Sequence, residues 1–285
     1  MSGRKLATIA HRSLRAAFLV LIIAHAALGL GYPWWWNFAP IVLAYVMVAV
    51  AHRWGGAPDS TKASGEPVEV ASPVSGRWTA QNSPADRTPS HGTHAYGQTF
   101  AIDIAAEPEP GTRPGFRLLW PLARRNSASP AFGAPLHAVA DARVVRAADR
   151  QRDHSSRASL PGVLYQVFLE GAARDLLGVR GILGNHVILD LGGGTHALYA
   201  HLKRGSVTVR EGDRVRVGDV IGACGNSGNS TEPHLHFQLM DGPDPDTARG
   251  VPFTWSGVGV PRGGEVFDVP GPAPVTPGPA PVAPA

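Results

Sequence analysis

Cysteine is almost missing from this chain: Cys224 is the only one in 285 residues. No intrachain disulfide can form, and no cysteine-rich metal knuckle can be built. Charge imbalance is also small. The 26 Lys+Arg against 22 Asp+Glu leave a formal net charge of +4, too little to argue for a nucleic-acid partner. No His-Glu-x-x-His segment occurs, which excludes the zincin mechanism that uses a helical glutamate as base. The Gly/Asn cluster Gly225–Ser230 lacks the Gly-Lys-Ser/Thr ending of a phosphate-cradling loop. Histidine, by contrast, is plentiful, with 12 in all.

The ends differ in character from the middle. Arg4, Lys5, Arg12 and Arg15 precede an apolar run from Ala16 to Gly31, and a second run extends from Trp34 to Ala51. Each approaches the roughly 20 residues that cross a bilayer, and Trp34, Trp35 and Trp36 fall between them where an interfacial belt would lie. The pattern predicts a membrane-anchoring helical hairpin over residues 1–53. Positive charge on both flanks favours cytoplasmic ends. Residues 54–72 read as a small, polar linker, and 270–285, almost all Pro, Ala, Gly and Val, as an extended tail.

Between them, short segments alternate apolar and polar residues, separated by glycine turns: 100–104, 136–147, 185–191, 197–202, 206–209, 215–221 and 234–240. Alternation of this kind predicts an all-β domain, an antiparallel sheet or sandwich, over 73–243. A C-terminal extension follows over 244–269. Two stretches break the pattern, 107–130 and 149–183, and read as insertions, the second with a short helix near Gly171–Leu177.

The most informative segment is Pro233-His234-Leu235-His236-Phe237. Alternate side chains of a strand leave the same face, so His234 and His236 point together while Leu235 and Phe237 enter the core. Paired imidazoles on such a base suit a metal or a proton-transfer site. Alone, the pair is better explained by two unrelated surface histidines. His137, His186 and His196, on or beside strands, read as surface or packing residues, and His25 as a helix-packing contact.

Three further motifs join this one in order: Tyr199-Ala200-His201-Leu202, Gly225-Asn226-Ser227-Gly228-Asn229-Ser230, and the strand Phe100-Ala101-Ile102-Asp103-Ile104 upstream. Together they resemble the lysostaphin-type (LytM-like) zinc metallopeptidases that cut peptide links of bacterial cell walls, over roughly Val74–Met240. The resemblance implies a Zn²⁺ held by Asp103, His236 and a further histidine, with a fourth position open to water. It implies that His201 and His234 handle the proton and the developing oxyanion. The family's first histidine falls four residues before the aspartate, where this chain has Thr99. The upstream candidates are His91 and, as the alternate, His94.

The function implied is a membrane-anchored zinc metalloendopeptidase that hydrolyses peptidoglycan cross-links, its peptidase domain outside the cytoplasm, in tension with the flanking charges. The alternative is an inactive relative that binds or regulates other wall hydrolases, supported by Thr99. Glu211–Gly222 also resembles the hairpins of biotinyl and lipoyl carriers, but no lysine follows Lys203 to carry the group.

Overall fold

The computed structural model describes residues 3–54 and 66–270. All but the first residue of the expected tail (270–285) and most of the expected linker (54–72) lie outside those residues.

A nine-stranded sheet organises the molecule. Its strands are β1 (Gly76–Ala80), β2 (Ile102–Ala106), β3 (Ala142–Ala148), β4 (Asn185–Gly192), β5 (Thr195–Leu202), β6 (Arg214–Val215), β7 (Leu235–Met240), β8 (Gly250–Val251) and β9 (Val266–Val269). Their order across the sheet is 6-3-4-5-7-2-1-9, with β8 pairing β7. All these pairings are antiparallel.

One face of the sheet carries the main core. Leu235, Phe237 and Leu239 of β7 are fully buried there with Tyr199, Ile102, Ile104, Val187 and Leu189. Aromatic rings continue this core: Phe237 meets Tyr199 at 5.3 Å and Phe253 at 5.2 Å between centroids, both edge-on. The opposite face holds a smaller cluster of Leu183, Ile188, Leu198, Ala200 and Met240. Because β7 is buried on both faces, a one-residue slip would exchange its histidines for leucine and phenylalanine, so its register is strongly specified.

The all-β expectation is overturned: the molecule mixes helix and sheet. The N-terminal segment forms α1 (Gly3–Leu28) and α2 (Ala39–Trp54). The second insertion forms α3 (Leu160–Tyr165), a π-helical turn at Gln166–Glu170, α4 (Gly171–Leu176) and α5 (Val179–Leu183). The expected strand at 206–209 is absent, and the stretches 136–147 and 215–221 each divide in two. The short helix expected near Gly171–Leu177 is α4, whereas α3 and α5 are too short to show a stripe and were not expected.

The transmembrane hairpin is also overturned. No helix among the described residues is long and apolar enough to cross a membrane. At 16 residues α2 reaches only about 24 Å, short of the ~30 Å hydrocarbon layer. The middle of α1 is committed to the protein instead. Arg15 Nη1 donates to Gly171 O (3.2 Å), and Arg15 and His11 approach Asp175 at 3.9 and 3.8 Å. Phe18 and Ile41 pack with Ala172 of α4, and Tyr45 Oη donates to Val167 O (3.2 Å). The apolar runs therefore cover the helices of the second insertion.

Cys224 lies fully buried behind the sheet, and burial, then the charge of Asp153, raises its thiol pKa. The native protein should not react with a thiol reagent such as DTNB at pH 8, and should release one equivalent after denaturation. Rapid labelling of the folded chain would contradict this packing.

Candidate functional site

Asp103 is the centre of the site. In the antiparallel pairing of β7 with β2, His236 sits directly opposite Asp103, and the same residue faces Ala200 of β5 on its other side. His236 Nδ1 lies 2.9 Å from Asp103 Oδ1. His91, on the loop before β2, reaches back so that its Nε2 is 2.8 Å from Oδ2. Asn82 Nδ2 donates to that same oxygen (2.8 Å). Asp103 is buried, which favours its neutral form. The charges of His91 and His234 and the hydrogen bonds of His234 and His236 nevertheless hold its pKa well below the ordinary value.

The surrounding groups fix which ring nitrogen carries each proton. Gln238 Nε2 donates to Tyr96 O (2.7 Å), so its amide oxygen must be the atom 2.9 Å from His236 Nε2. That oxygen accepts, hence His236 carries its proton on Nε2 and turns the Nδ1 lone pair toward Asp103. Ser90 Oγ donates to Ala101 O (2.6 Å) and so accepts from His91 Nδ1 (2.9 Å), so that in the neutral ring the His91 Nε2 lone pair faces Asp103. Two imidazole lone pairs thus converge on the two oxygens of one carboxylate. Such pairs repel unless a cation stands between them. The donor atoms of His91, Asp103 and His236 all lie within 4.8 Å of one another. Two neutral imidazoles and a carboxylate are a donor set that fits a divalent ion and leaves a position open.

The other predicted site histidines flank this group. His201 Nδ1 donates to Ser227 O (2.9 Å) and His234 Nδ1 to Glu232 O (2.8 Å), so each ring turns its Nε2 away from these carbonyls. The His201 ring lies 4.8 Å from that of His234 and 5.7 Å from that of His236, and His234 Nε2 is 3.5 Å from Asp103 Oδ1. Burial, reinforced by the neighbouring imidazoles of His234 and His236, lowers the His201 pKa well below 6.5, keeping it an unprotonated base at neutral pH. Burial pushes His234 down too, but the charge and hydrogen bond of Asp103 outweigh it and raise its pKa overall.

His94 is placed otherwise: its Nδ1 shares a hydrogen bond with Thr99 Oγ1 (3.0 Å), and it is not in the convergent group. His137, His186 and His196 point their Nδ1 at the carbonyls of Gly218, Gly184 and Gly194, at 3.0, 2.8 and 3.3 Å. All three are buried.

Simple alternation would put His201 on the core face with Tyr199. The structure differs. Three residue steps in β5, from Tyr199 to Leu202, oppose two in β4, from Asn185 to Val187, and His201 has φ +62°. This bulge turns its imidazole to the site face while Tyr199 and Leu202 stay in the main core. The left-handed backbone of a non-glycine residue costs about 1–3 kcal/mol. The Ser227 carbonyl that holds His201 is delivered by a close backbone crossing: a Cβ at Gly228 (φ +70°) would lie 2.4 Å from Gly184 N. Gly97 (φ +72°) is needed in the same way beside Gln238, where a Cβ would come within 2.9 Å of its Nε2.

Asn82, Ser90 and Gln238 were not singled out from the sequence. Gln238 carried a signal, since it lies two residues after His236 on the same strand face. Asn82 and Ser90 carried none.

Two measurements follow from these contacts. Gln238→Ala frees His236 to adopt the other tautomer, so divalent-metal affinity should fall about 10–100-fold by competitive titration. Unchanged affinity would contradict the fixed tautomer. Among variants lacking the imidazole, His201→Gly should be more stable than His201→Ala by about 1 kcal/mol in thermal or urea unfolding. Equal stability would contradict the left-handed bulge.

Comparison with known proteins matches residues 127–247 to the family described as Peptidase family M23. The match spans His201, His234 and His236 but begins after His91 and Asp103. Glycyl-glycine endopeptidase ALE-1 of Staphylococcus capitis is 48% identical over 58 residues, 20% of this chain and 16% of that protein. Peptidoglycan DD-endopeptidase ShyA of Vibrio cholerae serotype O1 is 39% identical over 57 residues, 20% of this chain and 13% of that protein. The chain thus spans less than a fifth of the length of either relative. Among solved structures, lysostaphin from Staphylococcus simulans aligns with TM-score 0.32 and 21% identity over 55% of this chain and 45% of that one. The matched stretch holds the sheet's central strands with three of the clustered histidines, and over those residues the chain is similar to Peptidase family M23.

Proposed function

We propose that the chain is a zinc-dependent endopeptidase that hydrolyses peptide links of bacterial peptidoglycan, working where the wall is exposed to it, outside the cytoplasm. The observation that carries this reading is the convergence of His91 Nε2 and His236 Nδ1 on the two oxygens of Asp103, at 2.8 and 2.9 Å. The names of relatives similar over about a fifth of the chain support the substrate class.

His91 Nε2, Asp103 and His236 Nδ1 would hold the ion. Bound there, zinc supplies Lewis-acid polarisation of the scissile carbonyl and makes a water acidic near neutral pH. The residues around it do the rest. His201, neutral and with Nε2 free, accepts the proton of the attacking water. His234, in its protonated form, would donate from Nε2 to negative charge developing on the carbonyl oxygen and pass that proton to the leaving amine. The carbonyls of Ser227 and Glu232 keep both rings aimed through these transfers. The inactive-relative alternative rested on Thr99; the position of His91 against Asp103 supplies the third donor that Thr99 lacks.

Removal of metal with a chelator should abolish cleavage of purified peptidoglycan, and one equivalent of zinc should restore it. His91→Ala should lose the metal, whereas His94→Ala should keep it. His201→Ala and His234→Ala should keep zinc but lose about 10²–10⁴-fold in turnover. Full activity in the chelated protein, or in either of the last two variants, would refute the assignment.

A further inference from the structure

The two stretches that interrupt the β pattern meet beside the catalytic group. Ala123–Arg124 pairs antiparallel with Ser156–Arg157, and Arg157 N donates to Thr231 O (2.7 Å), tying the first and second insertions to the segment that leads into His234. Together they enclose a cleft of about 410 Å³ lined by Arg113, Arg124, Arg125, Arg157, Glu107 and Glu232, with Phe116 and Pro233 as apolar wall. Pro233 immediately precedes His234, so the cleft begins one Cα step, about 3.8 Å, from a site histidine.

The charges of the cleft do not cancel. Both carboxylates are engaged from within the protein. Glu232 accepts from Gln81 Nε2 (3.1 Å) and from Arg113 Nη2. Glu107 accepts from Thr79 Oγ1 (2.6 Å) and Gly111 N (3.1 Å), which with minor help from Arg113 and Arg77 lower its pKa. Arg157 is committed to Glu170. Arg124 spends Nη1 on Gly115 O (2.8 Å). The guanidinium of Arg125 makes no hydrogen bond or ion pair among the described residues, and its residue is exposed. With Arg113 paired to Glu232 and Arg157 to Glu170, Arg124 and Arg125 are left facing the cleft without a carboxylate partner among the described residues, and planar guanidinium forks match a carboxylate in geometry.

We infer that this cleft is a specificity subsite for a free carboxylate of the substrate peptide, carried within one or two residues of the scissile bond and bound chiefly by Arg125 and Arg124. The inference rests on the endopeptidase reading. It assigns a purpose to both insertions: they clasp each other to build a cationic wall beside a catalytic centre made by the sheet.

The test uses the full chain and two synthetic cross-linked wall-peptide dimers, identical except that the carboxylates near the cross-link are free in one and carboxamides in the other. The wild type should prefer the acid by about tenfold in kcat/KM, the worth of one charge-assisted hydrogen-bonded pair. In Arg124→Ala/Arg125→Ala that ratio should fall to about one. Equal use of acid and amide by the wild type, or an unchanged ratio in the variant, would overturn the inference. Calorimetry on the metal-stripped protein with the same two peptides separates the claims. Preferential binding of the acid, with no cleavage of either peptide by the zinc-loaded protein, would uphold the cleft and refute the endopeptidase reading. Cleavage of both without discrimination would do the reverse.

Discussion

The arrangement depends on one buried carboxylate shared by two imidazoles. Asp103 lies on β2 directly opposite His236 on β7, and both strands sit in the middle of the sheet, where register cannot slip without burying histidine in the core. The apolar face makes this pairing rigid: Leu235 and Phe237 on one strand and Ile102 and Ile104 on the other are completely buried. Packing on one face thereby sets the distance between polar groups on the other. A buried carboxylate with no cation nearby would be costly; here Asn82 donates to it, and the nitrogens of His91 and His236 that face it at 2.8 and 2.9 Å are placed to share a cation with it.

Around that carboxylate, each of the four histidines is oriented by a group that can only accept, or that is forced to accept. Ser227 O and Glu232 O are carbonyls, Gln238 Oε1 is fixed by Tyr96, and Ser90 Oγ has already spent its proton on Ala101. The loops that deliver these groups depend on backbone conformations that few residues tolerate, the left-handed Tyr96-Gly97 pair and the crossing of Gly228 over Gly184. The bulge at His201 belongs to the same set. Chemistry and strain are concentrated together, on the face of the sheet that the main core does not occupy.

Much of this was legible in the sequence because strand periodicity is simple. Alternation in Pro233–Phe237 gave the common direction of His234 and His236 and the core role of their neighbours. Three features were not legible, each for a physical reason. The bulge at His201 breaks the two-residue period that the reading assumes. The helices at Leu160–Tyr165 and Val179–Leu183 are six residues or fewer and show no helical stripe. The apolar runs near the N-terminus were long in sequence but belong to helices that pack on α4, with Arg15 turned to Gly171 and Asp175, which hydrophobicity alone does not reveal. Partners such as Asn82, Ser90 and Tyr96 act through geometry between distant segments, and no local pattern marks them.

The central claim is that His91 and His236 direct Nε2 and Nδ1 lone pairs, respectively, at Asp103. Long-range ¹⁵N–¹H correlation of the imidazoles in the zinc-loaded protein reads this directly. The account predicts protons on Nδ1 of His91 and Nε2 of His236, with the opposite nitrogens shifted by the metal. A proton on Nδ1 of His236, or a His91 spectrum indifferent to zinc, would contradict it.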